Sequence, residues 1–465
     1  MTPGGIPRVV LLFGNTAEHN SRATRMTRTL LDAGFAVTWV ARSGPGLADR
    51  EEREGFEVLR VPLPPGPRWL PAPRLPASRP SSSSGDGGAP RAAGTGGRKG
   101  APAQLVRRAV DGPARALVDG PGRALVDGPG RLLQALRYQV VARRWADEVA
   151  RIAPPADVWQ ADGLVTLPVC LRLRDRRGGR VLYDSLEIHV ESGAFARLPG
   201  AWRRLLGRRE RAWARSADAV TTVSRPYADV LARRLGLRPA IVMNCPPAPP
   251  DPAPGQAGGP PRPRRFHEIL SLDPAARVVL YHGYLFPHRG IERLFEAIPF
   301  VPGAHLVVMG FGPRFEAYRE LAAGLPEAGR AHVVPGVAPE ALQEWVASAD
   351  VAAMPIEGNT LNHRLTTPNK LFEALAAGVP VVASDLPGMA GILRETGAGV
   401  TCRPDDPADI ARAIRSILEA PPDRRAAWSA AALAAARTTY SWERQADTYL
   451  GVVRSLAGRD QMLPG

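Results

Sequence analysis

The chain has 465 residues, of which 47 are Gly and 48 are Pro, close to a fifth of the total against roughly 12% in an average protein. No Gly-X-Y period runs through it and 45% of its residues are hydrophobic, which excludes a collagen and a wholly disordered chain. The net charge of +15 lies in residues 1–240, and residues 241–465 are close to neutral. Only Lys99 and Lys370 among the 60 cations are lysines, so arginine abundance by itself says little about nucleic acid; what survives is a preference of the first half for anionic surfaces.

The Gly and Pro excess is local, concentrated at 62–130 and 246–263. A length of this size predicts two domains, each able to bury its own core. There is no apolar run of about 18 residues, and Met1 to Arg8 lacks a basic segment leading into an apolar core, so the expectation is a cytoplasmic protein. Cys170, Cys245 and Cys402 are odd in number and far apart, which points to reduced, buried thiols and no metal cluster.

Taken in chain order, RVVLLFGNTAEHNSRATRMTRTLLDAGFAVTWVAR reads as strand, loop, helix and strand. Residues 8–13 suit a buried parallel strand, and Gly34 stops a helix that begins near Asn20. Gly14 stands alone in the first turn, so the G-x-G-x-x-G fingerprint of nicotinamide and flavin enzymes is missing. After a strand near 57–61 the chain enters a Pro/Gly/Ser-rich stretch with VDGP at Val110, Val118 and Val126, a repeat too short and too rich in Gly-Pro for a sustained helix or strand. Residues 62–131 therefore read as a disordered insertion. VLYDS, AVTTVS and AIVMN are short buried strands between Arg-rich helices, an alternation that predicts an open parallel sheet.

Residues 246–264 read as a stiff Pro-rich linker between a first domain, 1–245, and a second α/β alternation, 265–438. In the latter ARVVLYHGY, AHLVVMG, HVVPG, DVAAMP and VPVVASD supply strands. The segment 439–465 reads as an amphipathic helix free to cap either domain. The fold class expected is α/β, two doubly wound parallel sheets facing across a cleft at their carboxyl ends, where ligands of such sheets bind.

TTPNKLFEALAAGVPVVASD is the most informative segment. With Thr367 as N-cap and Pro368 as first helical residue, Asn369, Lys370, Leu371 and Phe372 would present unpaired N–H groups to the cleft, an arrangement suited to phosphate. Lys370 adds a full charge, unfavourable at the positive end of a helix unless an anion sits there. In YHGYLFPHRGIERL, Gly283 permits close backbone approach and Arg289 precedes a helix start at Gly290, so guanidinium and N–H groups can clamp a diphosphate. Gly310, Phe311 and Gly312 form a third turn at the same sheet end, followed by Pro335 after the next strand.

The order HGYLFPHRGIERLFEAI, LVVMGFGP, LNHRLTTPNKLFEALAAGVPVVASDLPGM resembles the nucleotide-sugar-binding domain of family 4 glycosyltransferases of the GT-B fold, and NSRATRMTRTLLDAGFAVTWVAR, YDSLEIHVES, SADAVTTVS and VMNCPP resemble that family's acceptor domain. The resemblance implies a retaining enzyme that moves a sugar from a nucleoside diphosphate to an acceptor through a front-face route. It implies no required metal and no cofactor beyond the donor itself. Glu373 matches the second of two family glutamates eight apart, which holds the donor ribose; the first falls on Leu365, with Asn362, His363 and Arg364 in the same loop. Arg289 matches the family's basic residue, and Tyr284 stands where the family has Arg. On the donor side the resemblance thus selects Gly283, Tyr284, Arg289, Gly310, Gly312, Pro335, Asn362, Thr367, Asn369, Lys370, Leu371 and Glu373. On the acceptor side the expected residues are Asn15, Asn20, Arg22 and Glu187, and the catalytic candidates are Glu373, Lys370, Arg289, Glu187 and His189, the last in the acceptor pocket; the family's histidine two residues after Asp184 is here Leu186.

RLPGAWRRLLGRRERAWARS places Trp202, Leu205, Leu206 and Trp213 at helical spacing among arginines, which fits an anionic membrane or a core-facing stripe with a solvated basic face. No nucleic-acid recognition pattern is present. An epimerase of nucleotide sugars and a non-catalytic binding protein are the two rival functions on the same fold.

Overall fold

The computed structural model describes residues 5–18, 20–64, 140–251, 262–325 and 328–458. The VDGP copies and the Pro/Gly-rich insertion from 65 onward, with most of the linker, lie outside them. Two sheets and the final helix belong to one compact unit, residues 1–63 with 142–465.

The first sheet contains β1 (Arg8–Phe13), β2 (Ala36–Arg42), β3 (Arg50–Arg53), β4 (Phe56–Val61), β5 (Val158–Asp162), β6 (Arg180–Ser185), β7 (Ala219–Thr222) and β8 (Ala240–Ile241) in the order β3-β4-β2-β1-β5-β6-β7-β8. All pairs are parallel except β3 with β4, a charged edge hairpin. The second sheet contains β9 (Arg277–Tyr284), β10 (Ala304–Phe311), β11 (Ala331–Pro335), β12 (Val351–Met354), β13 (Val381–Ser384) and β14 (Gly399–Cys402) in the order β11-β10-β9-β12-β13-β14, all parallel. Each sheet reverses its strand order once, between β1 and β5 and between β9 and β12, and such reversals open the crevices where ligands sit.

The strands form because parallel β-structure covered on both faces needs continuous apolar runs, and Val9 to Phe13 are buried throughout. The helix Ser21–Asp32 starts where Asn20 Oδ1 accepts from the N–H of Ala23 at 3.0 Å. Chain geometry sends the final helix, Trp442–Leu456, back to the first sheet: Trp442, Tyr449 and Val453 pack with Val9, Leu11 and Leu182. Tyr449 OH donates to Gln160 Oε1 at 2.6 Å and Trp442 Nε1 to Thr29 Oγ1 at 2.8 Å. The two chain crossings between sheets are tied together, the N–H of Trp442 donating to Pro246 O at 2.8 Å and that of Ala248 to Glu443 Oε2 at 3.0 Å. The three cysteines are free and buried.

Candidate active site

On the second-sheet side, Gly283, the next-to-last residue of β9, holds φ +113°, a conformation side chains rarely adopt, and its Cα face lies beside Lys370, whose Cε and Nζ a Cβ there would meet at 3.6 and 3.7 Å. A Cβ on neighbouring Gly310 would lie 1.9 Å from Gly283 O, which only glycine allows. Lys370 Nζ sits 3.8 Å from the Tyr281 ring centroid and has no carboxylate partner among the described residues. Burial, reinforced by the charge of Arg289 and opposed by Glu373, lowers its pKa to about 7. Arg289 lies just before Gly290, whose left-handed backbone caps the helix Ile291–Ala297, and its guanidinium meets no acceptor among the described residues.

The helix Asn369–Ala376 begins one residue later than the sequence reading has it. Pro368 is extended (φ −70°, ψ 147°) and stands at the N-cap, so Thr367 is outside the helix and its buried Oγ1 has no hydrogen-bond partner. Leu371 is also corrected: its side chain is fully buried in the second-sheet core and its N–H donates to Pro368 O at 2.9 Å. The N–H groups left open are those of Asn369 and Lys370, at the positive end of the helix. Glu373 lies one turn further on, with Oε2 2.8 Å from His282 Nε2. Burial would raise its pKa, but the His282 hydrogen bond and the charges of His282, Arg25 and Lys370 outweigh that and hold it below the ordinary carboxylate value.

Tyr284, Phe286 and Phe311 are exposed to the cleft and pack on one another, with ring centroids 5.9 Å and 5.7 Å apart. Gly312 and Pro335 do not line it; Gly312 lies against the backbone of Leu285, and Gly336 is the residue that faces the cleft after β11. Which residue past a strand end turns toward the crevice depends on loop geometry that spacing does not contain.

On the first-sheet side, Arg22 is buried and fully engaged: Nε and Nη2 donate to the two oxygens of Asp184 at 2.8 and 2.9 Å, and Nη1 donates to Val242 O at 2.6 Å. It is a structural cation rather than one held open for an acceptor. Asn20 Nδ2 donates to Asp162 Oδ2 at 2.9 Å; burial and then the Asp184 charge raise the Asp162 pKa to about 7. Asn15 lines the cleft and its Oδ1 accepts from the N–H of Ala17 at 2.9 Å. Glu187 also lines the cleft. His189 does not: it is half-buried, its Nε2 accepts from the N–H of Leu164 at 3.2 Å, and desolvation lowers its pKa to about 4. A neutral ring held by a backbone donor positions the 163–164 turn, and the role in an acceptor pocket is replaced by that one.

Arg25 was not selected from the sequence. It lies one turn along the helix from Arg22, lines the cleft, bonds Asn244 and stands 5.9 Å from the Trp442 ring centroid, while its buried Nε has no partner. The signal available was the three-residue spacing from Arg22 on one helical face. Asn362 lines the cleft but is buried, its Oδ1 accepting from the N–H of Ile188 at 2.9 Å. Among the described residues there is no group of three or more metal-ligating side chains, and no helix is long and apolar enough to cross a membrane.

Two doubly wound sheets with an open-cation cleft between them define a GT-B fold. Residues 276–420, within the second domain, match the family model described as glycosyl transferases group 1. The chain is 33% identical over 201 residues to the D-inositol 3-phosphate glycosyltransferase of Geodermatophilus obscurus, covering 40% of this chain and 42% of that one. It thus spans about two fifths of the length of the curated relatives it matches. Sucrose-phosphate synthase from Thermosynechococcus elongatus superposes with a TM-score of 0.63 at 16% identity, over 97% of this chain and 99% of that one. A trehalose-6-phosphate protein from E. coli bound with UDP-2-fluoro glucose superposes with a TM-score of 0.60 at 13% identity, over 98% and 100%. At these identities the structures establish the shared fold.

Proposed function

We propose that the protein is a retaining glycosyltransferase of family 4, moving a sugar from a nucleoside diphosphate sugar to an acceptor. The observation that carries this is the pairing of two cations, Arg289 and Lys370, that have no carboxylate partner among the described residues, with the open N–H groups of Asn369 and Lys370 at one end of the second sheet. Neutral groups or ion pairs would leave no field for a leaving diphosphate; this arrangement stabilises one as its charge develops. In the proposed step the bond from C1 of the sugar to the phosphate oxygen breaks. The acceptor oxygen bonds C1 on the same face, and its proton passes to the departing phosphate. Leaving-group charge is met by Arg289, Lys370 and backbone N–H groups, so the reading carries no metal requirement. Glu373, oriented by His282, faces the ribose.

The acceptor lies against Asn15, Glu187 and Arg25. We further propose that the protein works in the cytoplasm at an anionic membrane surface, through the helix Gly200–Ser216, where Arg204, Arg208, Arg209, Arg211 and Arg215 are exposed without acid partners among the described residues and Leu205 is 44% exposed. Trp202, Leu206 and Trp213 of the same helix are half-buried, which supports a packed inner face and a basic outer one. Sedimentation with phosphatidylglycerol vesicles tests this; equal binding to neutral vesicles would remove it. For the reaction itself, a thermal-shift panel of UDP-, GDP-, ADP- and TDP-sugars, followed by transfer assays, is decisive. Stabilisation by one base and sugar turnover to an acceptor are expected. Donor epimerisation without acceptor, or binding without turnover across acceptors, would overturn the transferase reading.

A further inference from the structure

We infer that Tyr227 and Asn362 are positioning residues that form a non-covalent clasp between the two domains, setting the phosphate end of the cleft from the acceptor side. The inference rests on the proposed donor site but not on the identity of the donor. Asn362, in the short helix Leu361–Arg364 of the second domain, is buried and makes two bonds to the first domain. Its Oδ1 accepts from the N–H of Ile188 at 2.9 Å, and its backbone carbonyl accepts from Tyr227 OH at 2.8 Å. Around these bonds Leu361 and Leu365 pack against the cluster of Ile188, Val190, Tyr227 and Val230, which backs the polar pair with apolar side chains at the cleft wall. Buried bonds of this kind are costly to break because the groups left behind lose their partners.

The clasp joins two functional segments. On one side, Ile188 follows Glu187, which lines the cleft. On the other, Asn362 leads through Thr366, Thr367 and Pro368 into the helix that presents Lys370. The chain crossings between the domains use different residues, Pro246 with Trp442 and Ala248 with Glu443. Opening the clasp therefore leaves the covalent hinge intact while releasing the segment 357–368 from its support. An account in which Asn362 binds the sugar directly leaves its two bonds to the first domain without a purpose.

Hydrogen–deuterium exchange on the full chain tests this without any ligand. Tyr227→Phe and Asn362→Leu are expected to raise exchange in both 186–192 and 357–368 by roughly five-fold or more, while β1, β5 and β9 exchange as in the wild type. Asn362→Asp, which keeps an acceptor for the N–H of Ile188, is expected to restore most of the protection lost in Asn362→Leu. Unchanged exchange in 357–368, or a rise that spreads over the first sheet, would overturn the clasp. Where a nucleoside diphosphate binds the wild type, its affinity is expected to fall about five-fold in Tyr227→Phe although Arg289 and Lys370 remain. If UDP, GDP, ADP and TDP all fail to bind the wild type, the donor site is refuted while the exchange result still decides the clasp.

Discussion

Across one cleft Arg22 of the first domain and the pair Arg289 and Lys370 of the second are held in opposite ways. Arg22 of the first domain directs all its guanidinium nitrogens to Asp184 and Val242, and Asp184 is further held by Thr221 Oγ1 at 2.8 Å. Among the described residues Arg289 and Lys370 of the second domain meet no carboxylate, and burial lowers the Lys370 pKa to about 7. A neutralised cation contributes to folding and is silent toward ligands. An unneutralised one costs the fold something and repays it when an anion arrives, so the contrast separates scaffold from site better than position in the cleft does.

The sharpest way to break the comparison is to exchange roles. Arg22→Ala leaves Asp184 charged and buried, and denaturant unfolding is expected to show a loss of about 3–5 kcal/mol; a loss below about 1 kcal/mol would make Arg22 a ligand-facing cation after all. The double variant Arg289→Ala/Lys370→Ala is expected to keep the wild-type melting temperature within about 2 °C while losing roughly 100-fold in nucleoside diphosphate affinity. A large fall in stability would instead place these cations in the scaffold.

Proton linkage gives a smaller, signed effect. Lys370 of the free protein is protonated below its pKa of about 7 and neutral above it, whereas a bound diphosphate favours the charged form. Binding above neutrality must therefore take up a proton, and affinity is expected to fall roughly ten-fold between about pH 7 and pH 9. Calorimetry in buffers of different ionisation enthalpy checks the uptake; affinity independent of pH over that range contradicts it. Smallest of all, Leu365→Ala is expected to change diphosphate affinity by less than about three-fold. Leu365 packs against the cluster of Ile188 and Val190, and a larger loss with unchanged hydrogen exchange in 357–368 would assign it to donor recognition.

Both sheets were legible in the sequence because parallel strands need continuous apolar runs, and RVVLLF and RVVLYHGY supply them. The edge strand β3, REER, was not, since charged residues suit an exposed edge and carry no apolar signal. The destination of Trp442–Leu456 was equally hidden: its apolar spacing shows that it packs but not on which sheet. Within the site, Lys370 stood out because its charge conflicts with a helix start, and Arg289 because it precedes a glycine cap. Arg22 and His189 looked alike as functional side chains, and only their partners, Asp184 and the N–H of Leu164, show that both are held by the scaffold. Arg25 and the bonds of Asn362 depend on the docking of two domains, which no local pattern encodes.

The central claim is that Lys370 is held open for a diphosphate. Isothermal titration of the wild type and Lys370→Ala with the nucleoside diphosphate chosen by the thermal-shift panel tests it most directly. A loss of about ten-fold or more in affinity, with an unchanged melting temperature, is the result predicted. Equal affinity in the two proteins would contradict it.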